Sequence, residues 1–195
     1  MKMGIVSETV EDIFLYPSGS ASARIGGGSF TAQVSAMYGN DTFLLTWIGE
    51  DLAPAMTSTL TESGVHVQGM VRSSRTAKYI MKTQANDKRD TTIYSPDCPK
   101  YKLEKIPDEL MQKDVLLFYP LPMDILLGIM SVCKPNVSIF AFDPQSSYED
   151  LSEIEPLFPY LSYILLNKQE LQGLCGYEEL EKCFSSFASF IRGIL

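Results

Sequence analysis

An α/β fold with a mainly parallel sheet is what this sequence predicts, and three observations carry it. Beyond Pro99, short β-branched and aromatic segments alternate with helical ones, the pattern of right-handed βαβ units covered on both faces. Near the start, Gly26-Gly27-Gly28 runs directly into a helical stretch. Between these regions, two alternating segments flank a polar tip and predict a hairpin outside the parallel sheet.

Taken in order, Met3–Ser7 and Val10–Tyr16 carry strand-forming residues around an acidic interruption, which predicts a strand bent near Glu8. Pro17 to Ala23 is small and polar and predicts a loop. Phe30, Val34 and Met37 recur at helical spacing, so a helix is expected over Ser29–Tyr38, ended by Gly39-Asn40. Phe43–Ile48 reads as a buried strand. Asp51 is placed to cap a helix over Leu52–Glu62, which Ser63-Gly64 stops. Gly64–Gly69 reads as a connector. Ala77–Thr83 and Thr91–Tyr94 flank the tip Asn86-Asp87-Lys88-Arg89-Asp90. Helices are then expected over Ile106–Gln112, Asp124–Cys133, Leu151–Phe158, Gln169–Leu174 and Tyr177–Arg192. Strands are expected over Val115–Tyr119, Val137–Phe142 and Tyr163–Leu166.

At 195 residues the chain suits one α/β domain or a piece of a larger one. Its formal net charge of −8 argues against a nucleic-acid-binding surface. Lys100, Lys102 and Lys105 alternate with Glu104 and Asp108 and read as a solvated stretch. No apolar run is long enough for a membrane span, and the N-terminus soon meets Glu8, Glu11 and Asp12, unlike a signal peptide. Cys98, Cys133, Cys175 and Cys183 have no CxxC spacing and read as reduced thiols, so a cytoplasmic protein is expected.

The glycine run lets backbone approach a ligand without a Cβ in the way. It is not a P-loop, because no lysine follows Gly28. As a dinucleotide fingerprint it fits at Gly26 and Gly28, but Thr31 stands where the third glycine belongs. A tight loop entering a helix, with no ligand, also satisfies it. Asp12 can also be read as a strand-end surface acid, and Asp143 equally as a turn residue before Pro144. Asn167-Lys168-Gln169-Glu170 has the spacing of a helix capping box. His66 is the only histidine, so a Ser-His-Asp triad has no support beyond residue types. Phe118, Tyr119, Met123 and Met130 read as core.

The order of these features over essentially the whole chain resembles the ribokinase-like (PfkB) family of carbohydrate and nucleoside kinases. The order is an acid on the first strand, Gly26-Gly27 opening a helix, Gly49-Glu50-Asp51 after a strand, a helix ending Glu62-Ser63-Gly64-Val65, a hairpin, then Asp143-Pro144 and the NxxE stretch Asn167–Glu170. The resemblance implies a three-layer α/β/α sandwich with a small β lid, its strands at about residues 10–17 and 76–95. It implies a sugar or nucleoside substrate held by Asp12, Gly26, Gly27, Thr31 and Asp143, with Thr76-Ala77 opening the second lid strand. ATP and Mg²⁺ follow as cofactors, with Asn167 and Glu170 acting on the metal through water. A homodimer through the lid is a further implication. Thr31 replaces the family's usual Asn, and Gly28 a frequent Lys, so the preferred substrate is open.

The family's Gly-Ala-Gly-Asp motif, which supplies the catalytic base and an anion-binding helix N-terminus, does not occur in this sequence. The resemblance therefore implies one incomplete kinase domain over residues 1–195, the N-terminal two-thirds of such an enzyme. Without that base, turnover by this stretch alone is not expected. A non-catalytic small-molecule binding or interaction module is the alternative, and dinucleotide-dependent oxidoreduction a more distant one.

Overall fold

The computed structural model describes residues 1–83, 89–94 and 101–194. The expected hairpin tip at Asn86-Asp87-Lys88, together with Cys98, Pro99 and Lys100, lies outside the described residues. The chain divides into two compact units, Met1–Lys105 and Ile106–Leu195.

In the first unit, β1 (Lys2–Leu15), β3 (Asp41–Gly49) and β4 (Val65–Ser73) are parallel, with β3 in the middle. β1 pairs with β3 only as far as Glu8↔Trp47. From Thr9↔Gly27 onward it pairs antiparallel with β2 (Ala21–Gly27), and from Glu11↔Lys78 parallel with β5 (Lys78–Thr83). β5 then pairs antiparallel with β6 (Arg89–Tyr94), closing the expected hairpin. A second, smaller sheet, β2-β1-β5-β6, thus grows from the end of a strand of the first. The acidic interruption at Glu8 does not break β1; it marks where the strand changes partners.

Three further expectations change. The loop predicted over Pro17–Ala23 is shorter, because a turn leads into β2 at Ala21. Its small polar residues sit at an exposed edge, where ladder bonds to β1 supply what strand propensity does not. The Gly64–Gly69 connector is the first half of β4, with Val65 buried and His66 exposed. Asp51 does not cap α2 (Ala53–Glu62), whose N-cap is Leu52 without a side-chain bond. Its Oδ1 instead accepts from the Thr76 backbone N–H and from Thr76 Oγ1, both at 2.8 Å.

Helix α1 (Gly28–Met37) forms where expected, but the residues that suggested it are not the ones it buries. Phe30 is 40% and Met37 75% exposed. The buried face is Gly28, Ser29, Ala32 and Ser35. These small side chains let the helix lie close to the sheet, where hydroxyls meet in pairs. Ser29 bonds Thr9, Thr9 bonds Thr46 at 2.7 Å, and Ser35 bonds Thr42 at 2.9 Å. Each buried hydroxyl is satisfied by another, which avoids the desolvation cost of an unmade bond. Ile5, Val6, Leu44, Leu45, Trp47 and Leu60 complete this unit's core.

In the second unit, β7 (Val115–Phe118), β8 (Ile139–Phe142) and β9 (Tyr163–Ile164) are parallel in that order. Between β7 and β8 runs α3 (Met123–Cys133), which buries Leu126, Ile129, Met130 and Cys133 at the spacing of one helical stripe. The helices predicted over Ile106–Gln112 and Leu151–Phe158 are only single 3₁₀ turns, at Leu110–Gln112, Leu151–Glu153 and Glu155–Leu157. Pro156 removes a backbone donor and breaks the second of them. α4 (Lys168–Cys175) and α5 (Leu180–Ile194) follow. Cys133, Cys175 and Cys183 are free thiols. Burial pushes Cys133 up to about 11. No helix among the described residues is long and apolar enough to cross a membrane.

Thr76 is fully buried, so its N–H depends on Asp51. Asp51→Ala is expected to cost about 1–3 kcal/mol of stability, the range for stranding a buried donor. Urea unfolding would measure it, and Asp51→Asn, which keeps an acceptor, should recover part of the loss.

Candidate functional site

Backbone geometry brings Asp12, Gly26 and Gly27 together. Val10 faces Gly26 and Thr9 faces Gly27 across the β1–β2 ladder, so Asp12 stands diagonally over Gly26. A Cβ on Gly26 would lie 2.3 Å from Asp12 Oδ1, which means the carboxylate occupies that space. Gly27, the residue before α1, has φ 62 and ψ −150, a region essentially restricted to glycine. A Cβ there would also meet the Glu8 carbonyl at 2.7 Å. The glycines are thus a floor that could carry no side chain. Thr31 follows, half-buried in the first turn of the helix they open.

Asp12 is mostly shielded, its side chain 14% exposed. Burial pushes its carboxyl up, and the charge and hydrogen bond of Arg24 pull it partly back. Arg24 stands opposite Asp12 on β2, with its Nε 3.5 Å from Asp12 Oδ2. A cavity of about 370 Å³ adjoins Arg24 and is bounded by Ile25, Phe30, Gln33 and Met56 among others. Its size is that of a small-ligand pocket. Sequence reasoning missed Arg24 because it falls between the loop expected over Pro17–Ala23 and the glycine run, where no strand was expected. The signal was the alternation Ser22, Arg24, Gly26 opposite Phe14, Asp12, Val10.

On the same face of β1 as Asp12, two steps of strand periodicity earlier, Glu8 Oε2 accepts from Tyr101 Oη at 2.6 Å. Tyr101 also packs edge-on against Trp47, with centroids 5.8 Å apart. The Gly49-Glu50-Asp51 turn holds the segment that leads into β5. Gly49 N–H donates to Thr76 Oγ1 at 3.2 Å, alongside the two Asp51 bonds. Asp51 therefore acts on backbone placement and not as the helix cap expected of it.

In the second unit, Asp143 follows β8, and its Oδ1 accepts the Gln145 N–H at 3.1 Å. Burial pushes its carboxyl up, the Gln145 bond lowers it and the charge of Glu170 raises it further. Asn167 and Glu170 form a complete capping box at the start of α4: Glu170 N–H donates to Asn167 Oδ1 at 3.0 Å, and Asn167 N–H to Glu170 Oε2 at 2.8 Å. Among the described residues, no group of three His, Cys, Asp or Glu is placed to hold a metal ion. The cap commits Asn167 Oδ1 and Glu170 Oε2 and leaves Glu170 Oε1 outside it, a donor set of oxygens that fits a hard, hydrated cation. A second cavity, of about 430 Å³, lies beside this cap and is bounded by Ile164, Leu171, Leu180 and Phe187.

No family model matches the chain. No curated protein matches it either. Solved structures do. Adenosine kinase from Sinorhizobium meliloti is similar at TM-score 0.81 and 18% identity, over 97% of this chain and 72% of that one. Ribokinase from Cryptococcus neoformans in complex with ADP is similar at TM-score 0.70 and 17% identity, over 97% and 67%. A pyrophosphate-dependent kinase of the ribokinase family, complexed with a pyrophosphate analog and myo-inositol, is similar at TM-score 0.69 and 17% identity, over 96% and 69%. With its mostly parallel sheet and flanking helices, the chain has the ribokinase-like fold, and it spans roughly 70% of the length of such neighbours.

Two measurements check the geometry. Gly27→Ala should cost at least about 1–3 kcal/mol in urea unfolding, the strain of its backbone conformation alone. Glu170→Gln keeps the reciprocal cap but removes a charge, so Asp143 should titrate lower than in the unmodified chain. Carboxyl-carbon NMR would read the shift, and an unmoved Asp143 would contradict the coupling.

Proposed function

We propose that this chain supplies the acceptor side of a kinase that phosphorylates a hydroxyl of a sugar or nucleoside-like small molecule. The observation that carries the reading is the shielded Asp12 carboxylate pressed against a floor of two glycines. A carboxylate accepts hydrogen bonds from hydroxyls, and a glycine floor admits a ring to backbone distance. Thr31, in the turn beyond the floor, offers one hydroxyl as donor or acceptor. The smaller sheet β2-β1-β5-β6 serves as the lid, and the Asp51–Thr76 clamp fixes the segment feeding it.

Asn167 and Glu170 would hold Mg²⁺ through water when it is bound. There it would screen the phosphate charge of a nucleotide donor and ease the repulsion between Glu170 and Asp143. ATP is the donor the resemblance implies. A structural neighbour that uses pyrophosphate makes that donor worth testing too. The 195 residues contain no Gly-Ala-Gly-Asp, so we expect binding by this polypeptide without turnover. The same feature favours a second reading, a binding module that kept the fold without the chemistry.

A coupled assay for ADP or phosphate release, run with ATP or pyrophosphate over a panel of sugars and nucleosides, should stay at background. Robust turnover by the isolated chain would sink this account. Thermal shift should show a stabilising polyol, since ligand at 100 times its Kd contributes about 2.7 kcal/mol. Asp12→Asn should abolish that shift without lowering the melting temperature near neutral pH. The sign follows from the raised carboxyl. Its contribution to stability is present below the ordinary carboxylate range and is lost as pH rises through the raised value, so the ionised form adds nothing at neutrality.

A further inference from the structure

The cavity of about 370 Å³ beside Arg24 shares no lining residue with Asp12, Gly26, Gly27 or Thr31, so its occupant is a matter separate from the glycine floor. Its walls are mainly apolar: Ile25 on β2, Phe30 on α1, and Leu52 and Met56 at the start of α2. Most of the polar side chains that also line it are engaged within the protein. Gln33 Nε2 donates to Ser63 Oγ at 2.9 Å, Thr59 Oγ1 donates to the Ala55 carbonyl at 3.0 Å, and Lys78 Nζ stands 2.6 Å from Glu11 Oε2. Arg24 is the exception. Its side chain is 50% exposed, and its Nε lies 3.5 Å from Asp12 Oδ2, a long contact for a hydrogen bond. Its guanidinium stands over two rings, 4.8 Å from the Phe14 centroid and 4.5 Å from that of Phe30. Arginine carries five N–H donors in a planar fork, more than this one contact uses. Rings that hold the guanidinium in place reduce the freedom it loses on capturing an anion.

We propose that this cavity binds a monocarboxylate with an apolar body, an arylalkanoate or a branched alkanoate. Its carboxylate lies on the Arg24 fork, and its body rests against Ile25, Phe30, Leu52 and Met56. A carboxylate matches the planar donor geometry of the guanidinium. The body removes from water the Phe30 ring, which is 40% exposed without it. Met56 is an adaptable side chain and suits bodies of more than one shape. A polyol does not fit here, because its hydroxyls would lie unpaired against four apolar side chains, each at the cost of a lost hydrogen bond. A small anion such as acetate gains the fork and leaves the walls wet. This ligand is independent of the proposed kinase reaction, and the cavity would hold it even if Asp12 bound nothing.

Isothermal titration of the 195-residue chain at low salt would compare 3-phenylpropanoate with two controls. Its amide has the same body and no charge, and acetate has the charge and almost no body. The phenylpropanoate should bind about 10-fold tighter than either, or more. Arg24→Gln should bring the acid and its amide to parity. Arg24→Lys keeps a charge without the fork and should retain only part of the preference, which keeps the test decisive if the Gln variant melts early. Ala55→Phe, at an exposed position on α2 that lines the cavity, should fill it and remove binding of the acid with little change in melting temperature. Parity of acid and amide in the unmodified chain would overturn the proposal, as would a preference that survives both Arg24 variants. Acetate binding as tightly as phenylpropanoate would overturn the apolar body, and undiminished binding by the Ala55→Phe variant would overturn the cavity. No binding of any of the three compounds by the unmodified chain would overturn the proposal outright.

Discussion

One strand that serves two sheets constrains the rest of residues 1–105. β1 must pair with β3 through Glu8 and then, without a break, with β2 on one side and β5 on the other. Both sheets inherit their orientation from its backbone. At the changeover sits Thr9, whose hydroxyl bonds Ser29 at the start of α1 and Thr46 on β3. A single side chain therefore joins the parallel sheet, the helix behind it and the ladder that carries the glycine floor. Replacing that hydroxyl by a methyl of similar volume would leave Ser29 Oγ seeking a partner and Thr46 Oγ1 with only the Trp47 carbonyl at 3.5 Å.

The same strand explains why a carboxylate can sit where it does. Alternation places Glu8, Val10 and Asp12 on one face, while Ser7 and Thr9 turn to the other. Absent side chains at Gly26 and Gly27 open room above that face, and Asp12 fills part of it. Holding an acid there is costly, as its upward shift shows.

Much of this was legible in the sequence, because the strong signals were local. β3 is an apolar run from Phe43 to Ile48 broken only by Thr46, α3 repeats its apolar residues every three or four positions, and Asn167–Glu170 carries a capping box in its spacing alone. Asp12, Gly26 and Gly27 were also identifiable as a group. What escaped depended on partners distant in the chain. β2 has no strand composition and exists because β1 pairs with it, so Arg24 went unnoticed. The buried side of α1 is made of serines and alanine, which hydrophobic periodicity cannot see. Asp51 looked like a cap because its preferred local bond was predictable, whereas its actual partner, Thr76, lies 25 residues away.

Trp47 is the chain's only tryptophan, and it is fully buried in the first unit. Its indole nitrogen has no hydrogen-bond partner among the described residues, and its ring touches Tyr101, which is bonded to Glu8 on the Asp12 face. The second unit has no indole at all. Intrinsic fluorescence is therefore a one-unit signal. Emission reports the packing around Trp47 and Tyr101, while far-ultraviolet dichroism averages over both units. The two spectroscopies watch different parts of one polypeptide, and the interval between their transitions measures how independently those parts come apart.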